Sequence, residues 1–131
     1  MKISTELLDT LTEQAKASPR LRMNYDLRNS SEDTSQRMLN AIEPGSVVPV
    51  HRHQKTSETV VVLRGRAVQH FYDGNGQLVD SVLLEAGGEV PAIQGPMGAW
   101  HRLESLESGM VIMEMKDGAF EPISPADILS M

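Results

Sequence analysis

Residues 45–65 read GSVVPVHRHQKTSETVVVLRG and contain three side chains that can bind a metal ion. His51 and His53 are separated by one residue, and Glu58 follows five residues later. Side chains alternate along a β-strand, so the two imidazoles of a His-x-His pair point to the same face. Two imidazoles and a carboxylate are donors that a borderline divalent metal ion accepts. The segment therefore predicts a metal site.

A fourth candidate ligand is His101, at the end of the segment PMGAWH that covers residues 96–101. It would complete a set of three nitrogen donors and one oxygen donor. Four protein ligands on an octahedral ion leave two adjacent positions for substrate or water. Zinc, iron, manganese, nickel and cobalt all suit these donors, and the sequence does not rank them. We predict one divalent metal ion per chain.

The composition excludes several kinds of site and partner. The chain has 131 residues, enough for one domain with its own core, and it contains no cysteine, so thiolate ligands and disulfides are excluded. The net charge of −6 arises entirely after residue 40. Because an acidic surface repels phosphate backbones, nucleic acid is not an expected partner.

Hydropathy predicts neither a membrane span nor a signal peptide. No apolar run approaches the roughly 20 residues that a span needs. The N-terminus also lacks a basic region followed by an apolar one. We therefore expect a cytoplasmic protein without a membrane partner.

A helix is predicted over residues 4–17. Ser4 is a favourable N-cap, and Ser18-Pro19 ends the helix. Its apolar side chains form one stripe, made by Leu7, Leu8, Leu11 and Ala15. The stripe must pack on the main body or on a second subunit. Strand edges also need cover, so we expect a homodimer that forms through the N-terminal helix or strand.

The rest of the chain alternates short strands with turns, which is typical of a small all-β barrel or a two-sheet jelly roll. Arg64-Gly65 is interpreted as a two-residue hairpin loop. That pairing would place Glu58 opposite Phe71, so that Gln69 and Phe71 face inward and His70 faces outward. Ser124-Pro125 predicts the start of a short C-terminal helix.

Residues 20–28 alternate polar and apolar side chains, as a strand with one polar face does. Arg22, Asn24, Asp26 and Arg28 share that face. If it reaches the barrel mouth, we expect Arg22, Asn24 and Arg28 to contact a ligand, together with Gln69 and Phe71. The alternative is a solvated edge strand or a subunit contact.

These motifs resemble those of the cupins. Gly45-x5-His51-x-His53-x4-Glu58-x6-Gly65 is similar to the first cupin motif, and Pro96-x-Gly98-x2-His101 to the core of the second. Within the cupins the chain resembles the WbuC-type proteins, which are found in bacterial polysaccharide (O-antigen) gene clusters. The pieces that carry this closer resemblance are RMNYDL at 22–27, RMLNA at 37–41, PVHRH at 49–53, and Trp100-His101-x-Leu103.

The resemblance implies a cupin double-stranded β-helix, a jelly-roll barrel with an N-terminal α-helix and a short C-terminal helix, and His51, His53, Glu58 and His101 as the metal ligands. We expect a single domain over 1–131: the helix at 1–19, leading strands at 20–43, the barrel at 44–117 and a tail at 118–131.

Several functions remain open at this stage. One is a metal-dependent enzyme, an isomerase or epimerase acting on a sugar or sugar nucleotide in polysaccharide biosynthesis. A second is a module that uses the metal to bind a small ligand such as a sugar or a carboxylate. An iron-dependent dioxygenase and a metal-free epimerase are further alternatives. No catalytic residue can be assigned from the sequence.

Overall fold

The computed structural model describes residues 1–129, so the last two residues of the predicted tail lie outside it. The helix α1 spans Thr5–Ala17, and a short 3₁₀ helix spans Pro125–Asp127. Between them the strands are β1 (Arg22–Asp26), β2 (Ser35–Ile42), β3 (Glu58–Arg64), β4 (Arg66–Tyr72), β5 (Leu78–Glu85), β6 (Ala92–Gly95), β7 (Trp100–Ser105) and β8 (Val111–Asp117).

The strands form two antiparallel sheets. The larger sheet has the order β1-β2-β8-β3-β6, and the smaller has the order β5-β4-β7. Strands that are distant in sequence are neighbours in space, as in a jelly roll. The architecture is therefore the all-β cupin barrel that the motifs predict, preceded by one helix.

The helix α1 packs on the outer face of the larger sheet. The hydroxyl of Ser4 accepts a hydrogen bond from the amide of Leu7 at 3.2 Å, which caps the first turn. Leu8, Leu11 and Ala15 are buried in one cluster with three sheet residues, Leu39, Ala41 and Val111. The apolar stripe is therefore covered by the main body of its own chain.

A second hydrophobic core fills one end of the space between the sheets. Val60, Val62 and Ile112 come from the larger sheet, and Leu84 and Leu103 come from the smaller one. These aliphatic side chains close that end of the barrel. The polar residues of both motifs lie toward the other end, where a cavity opens.

The predicted hairpin at Arg64-Gly65 is wrong, because β3 and β4 belong to different sheets. Gly65 has φ +83° and forms a corner between the sheets, and a Cβ there would lie 3.1 Å from the Cα of Met110. Glu58 pairs with Gly95, whereas Phe71 pairs with His101. Gln69 nevertheless faces inward, because strand parity within β4 does not depend on the partner.

Candidate metal centre

Three imidazoles converge at the open end of the barrel. His51 and His53 lie in the segment before β3, and His101 lies on β7. The backbones of His51 and His101 exchange two hydrogen bonds, of 3.0 and 2.8 Å, which join the two motifs. Each of the three histidines offers a nitrogen within 4.8 Å of the other two. This group could hold a metal ion.

Backbone carbonyls set the tautomers of two of these rings. Nδ1 of His51 lies 2.8 Å from the carbonyl oxygen of Pro49, and Nδ1 of His101 lies 2.8 Å from that of Ala99. An Nδ1–H that donates to a carbonyl leaves Nε2 with a free lone pair. The local turns therefore present nitrogen donors to the space between the rings.

Unsatisfied nitrogens show that this space suits a cation. Nε2 of His53 and Nε2 of His101 are buried and have no hydrogen-bond partner among residues 1–129. A buried polar atom without a partner is costly, and a bound ion would relieve that cost.

Glu58 lies beside the three imidazoles at the start of β3, although it is not part of the group whose donors all lie within 4.8 Å of one another. Its Oε2 lies 3.4 Å from Nε2 of His53, and its Oε1 lies 3.5 Å from Nε2 of His101. Two donors that share one ion at about 2.1 Å are about 3.0 Å apart at a right angle and about 3.4 Å apart at a tetrahedral angle. The donor types and their spacing therefore fit a divalent metal ion.

The electrostatics prepare His51 and Glu58 for metal binding, whereas His101 must give up a proton. Burial lowers the pKa of the His51 imidazole to about 4, and the nearby His101 adds to this effect. Burial alone would raise the pKa of Glu58, but the adjacent imidazoles of His101 and His53 and the ammonium group of Lys116 hold it well below its usual value. Burial lowers the pKa of His101, but the neighbouring Glu58 outweighs this and raises it.

The candidate ligands lie on the wall of a cavity of about 270 Å³. Its apolar wall includes Ile42, Val60, Leu103 and Ile112. The C-terminal segment contributes Ile123 and Ile128. Asp127 holds that segment in place, because its Oδ1 accepts a 2.8 Å hydrogen bond from Nε of Arg52.

Of the five residues predicted to contact a ligand, three line the cavity and two do not. Arg22, Asn24 and Gln69 line the cavity. Arg28 follows the end of β1 and forms a 2.9 Å ion pair with Asp26, so it is not among the lining residues. Phe71 is not among them either, and its ring lies near Gly95.

Four polar residues of the cavity were missed from the sequence: Arg20 ahead of β1, Asn40 on β2, and Glu114 and Lys116 on β8. Burial raises the pKa of Glu114 to about 7, with the charge of Glu58 acting in the same direction. The alternation Ile112-x-Glu114-x-Lys116 was the available signal, since it places two charges on the inner face of a strand.

Arg52, which lies between His51 and His53, and His70, which pairs with Arg102, both face away from the cavity. Arg52 lies over the ring of Trp100, with 4.4 Å from Cζ to the ring centroid. This contact covers a face of Trp100 that a sugar ring would need for stacking. His70 contacts Oγ of Ser81 at 2.8 Å and Oε2 of Glu104 at 2.9 Å, which places it in a network on the outer face.

Solved structures confirm the class of protein. The capsular polysaccharide assembling protein CapF from Staphylococcus aureus matches with a TM-score of 0.64 and 21% identity, over 76% of this chain and 27% of CapF. KdgF from Halomonas sp. matches with a TM-score of 0.60 and 15% identity, over 77% of this chain and 82% of KdgF. Oxalate oxidase in complex with glycolate matches with a TM-score of 0.65 and 15% identity, over 82% of this chain and 56% of oxalate oxidase. The fold is that of the cupins.

Residues 3–84 match a family described as "Domain of unknown function (DUF6016)", and the chain belongs to that family. The matched range contains His51, His53 and Glu58 but ends before His101. No curated protein sequence matches significantly. None of the helices formed by residues 1–129 is long and apolar enough to cross a membrane.

Proposed function

We propose that the chain is a metal-dependent cupin that binds and isomerises a small hydroxylated metabolite. The observation that carries the proposal is the convergence of His51, His53 and His101 beside Glu58. Two of the rings are fixed by carbonyls so that Nε2 can act as a donor. All four residues are the ligands that the cupin resemblance implies.

The cavity limits the size of the metabolite. Its 270 Å³ holds about nine water molecules at roughly 30 Å³ each. That space suits a monosaccharide or a small hydroxy acid. A sugar nucleotide would have to leave its nucleotide outside, so we favour the smaller ligand.

A role in polysaccharide biosynthesis is part of the proposal. It is supported by the WbuC-type resemblance of residues 22–27, 37–41 and 49–53. The description of CapF as a capsular polysaccharide assembling protein agrees with it. CapF shares only the fold with this chain at 21% identity, so a sugar-derived ligand remains our inference.

Isomerisation is favoured by a carboxyl group that faces the cavity together with the candidate ligands. Glu114 lies between Met38 and Val60 in the sheet register and lines the same cavity as the imidazoles. A carboxyl group in this position can accept a proton from a bound ligand and return it. When bound, a divalent ion would polarise a carbonyl or hydroxyl oxygen of the ligand. Glu114 would then move a proton at the adjacent carbon.

Elemental analysis of protein purified without added metal and without a histidine tag tests the metal site. We expect about one divalent ion per chain, with most of it lost in His51→Ala and His53→Ala. His70→Ala is the matched control, because it removes an imidazole from the outer face and should keep the metal. Equal metal content in all four proteins would contradict the site.

Proton exchange tests the reaction. Metal-loaded protein would be incubated with aldoses, ketoses and hexonates in deuterated water, and loss of a carbon-bound proton would be followed by NMR. We expect exchange that requires both the metal and Glu114, so Glu114→Gln should retain its metal and lose exchange. Exchange at the wild-type rate in Glu114→Gln would contradict the role of this residue.

A further inference from the structure

A polar wall lines the cavity beside the candidate metal ligands. We use this name for Arg22, Asn24, Asn40 and Glu114, which lie on three adjacent strands, β1, β2 and β8. None of the four belongs to the candidate metal set. The barrel core needs no polar group at these positions, so the wall requires its own explanation.

Asn40 has an unsatisfied acceptor. Its side-chain nitrogen donates to Oε1 of Glu114 at 3.3 Å, which turns its Oδ1 away from that carboxyl group. The residue is only 9% exposed, and Oδ1 has no hydrogen-bond partner within the described part of the chain. Leaving a buried acceptor unpaired is unfavourable, because it has lost its hydrogen bonds to water. A hydroxyl group of a bound ligand would donate to it.

Arg22 presents a cation without an ion-pair partner to the same cavity. Its Nη1 donates to the carbonyl oxygen of Val47 at 2.9 Å and contacts Oγ of Ser46 at 3.4 Å. These bonds fix the guanidinium and leave the Nε and Nη2 edge for another partner. No carboxylate among residues 1–129 lies within 4.0 Å of this guanidinium, and Glu114 acts on it only through its charge at longer range. The free edge of a guanidinium matches the two oxygens of a carboxylate.

We infer that the polar wall selects a hydroxy acid, with the ligand carboxylate on Arg22 and a ligand hydroxyl on Asn40. The other end of the ligand would carry the oxygens that reach the metal, and this part rests on the proposed function. A sugar acid of four to six carbons has these groups and fits the cavity. A neutral sugar would leave Arg22 unpaired, and a simple fatty acid would leave Asn40 unpaired.

Three probes with the same six-carbon chain separate the contribution of the carboxylate from that of the hydroxyl groups. Gluconate has both a carboxylate and hydroxyls, sorbitol has only hydroxyls, and hexanoate has only the carboxylate. Binding to the full chain would be measured by calorimetric titration with zinc loaded and again without metal. We expect gluconate to bind at least tenfold more tightly than either other probe, because it alone satisfies both residues.

Substitutions of Arg22 and Asn40 test which residue binds the carboxylate and which binds the hydroxyl groups. Arg22→Gln should weaken gluconate binding roughly tenfold or more and leave sorbitol unchanged, because a charged hydrogen bond is lost. Asn40→Leu should weaken both gluconate and sorbitol and leave hexanoate unchanged. Arg28→Gln is the matched control, because it removes an arginine outside the cavity and should bind all three probes as wild type does. Circular dichroism and thermal melting would verify the fold of each variant.

The outcomes separate this inference from the proposed function. If wild type holds no metal, the proposed function fails, whereas the preference for gluconate over sorbitol and hexanoate should persist in weaker form. The inference is overturned if gluconate does not bind, if it binds no more tightly than sorbitol, or if Arg22→Gln and Asn40→Leu bind it as wild type does.

Discussion

The ammonium group of Lys116 lies 3.6 Å from Oε2 of Glu58, so a cation already adjoins the carboxylate that faces the imidazoles. A divalent ion on Glu58 would be repelled by this lysine. We expect Lys116→Met to bind zinc about five- to tenfold more tightly, from roughly 1 kcal/mol of relieved repulsion. Competition with a fluorescent chelator measures the effect.

Lys55→Met is the control for this prediction. Lys55 pairs with Glu121 at 3.2 Å and is largely exposed, so its removal should leave zinc affinity unchanged. Weaker zinc binding by Lys116→Met would show instead that the lysine holds Glu58 in position.

The raised pKa of Glu114 predicts a pH-dependent stability of the metal-free protein. The folded chain keeps this proton to about pH 7, whereas an ordinary glutamate loses it near pH 4.5. The folded state therefore binds more protons between these values, and stability falls as pH rises through this window. Glu114→Gln should be more stable than wild type above pH 7, by up to about 3 kcal/mol, and equal to it below pH 4.5. Urea unfolding at pH 4.5 and pH 8 would measure this, and a difference independent of pH would contradict it.

The corner at Gly65 predicts a large cost for a small substitution. In Gly65→Ala the residue would keep φ +83° and its Cβ would lie 3.1 Å from the Cα of Met110. We therefore expect the free energy of unfolding to fall by about 2–3 kcal/mol. Gly87 has φ +72° with open space around its Cβ position, so Gly87→Ala should lose only about 1 kcal/mol. Chemical denaturation of both variants measures the difference. Equal losses would mean that the contact with Met110 relaxes freely.

A homodimer stays a prediction, and the structure narrows where it would form. The apolar stripe of α1 is covered by Leu39 and its neighbours, so it does not call for a second subunit. Strand β1 lies at the edge of the larger sheet, so one side of its backbone has no strand partner among residues 1–129. We expect sedimentation to show a dimer at tens of micromolar concentration. A monomer under those conditions would contradict the prediction.

The convergence of the three histidines could be predicted because the spacing within each motif is local. His51 and His53 are two residues apart, and the Gly98 turn, with φ +81°, precedes His101. The helix α1 was predictable for the same reason, since Ser4 and the apolar stripe act within a few turns. Strand parity also placed Gln69 and His70 on opposite faces without knowledge of their partners.

Long-range pairing could not be read from the sequence. Arg64-Gly65 has the composition of a tight turn, and only the tertiary structure shows that the chain crosses to the other sheet there. The alternation over residues 112–116 indicates that Glu114 shares a face with Ile112, but this face reaches the cavity because β8 lies between β2 and β3, and no local pattern encodes that position. Arg28 shares parity with Arg22 but follows the end of β1, so the strand geometry does not extend to it.

Neither hydrophobic core contains His51, His53, Glu58 or His101. We therefore expect the chain to fold without an ion, unlike small domains that unfold when their zinc is removed. Imidazole and carboxylate donors accept several first-row ions, and the ion that binds in a cell depends in part on which metals are available. We expect the ion found after purification to follow the metal supply of the cell that made the protein, so growth in media with different metals should change its identity.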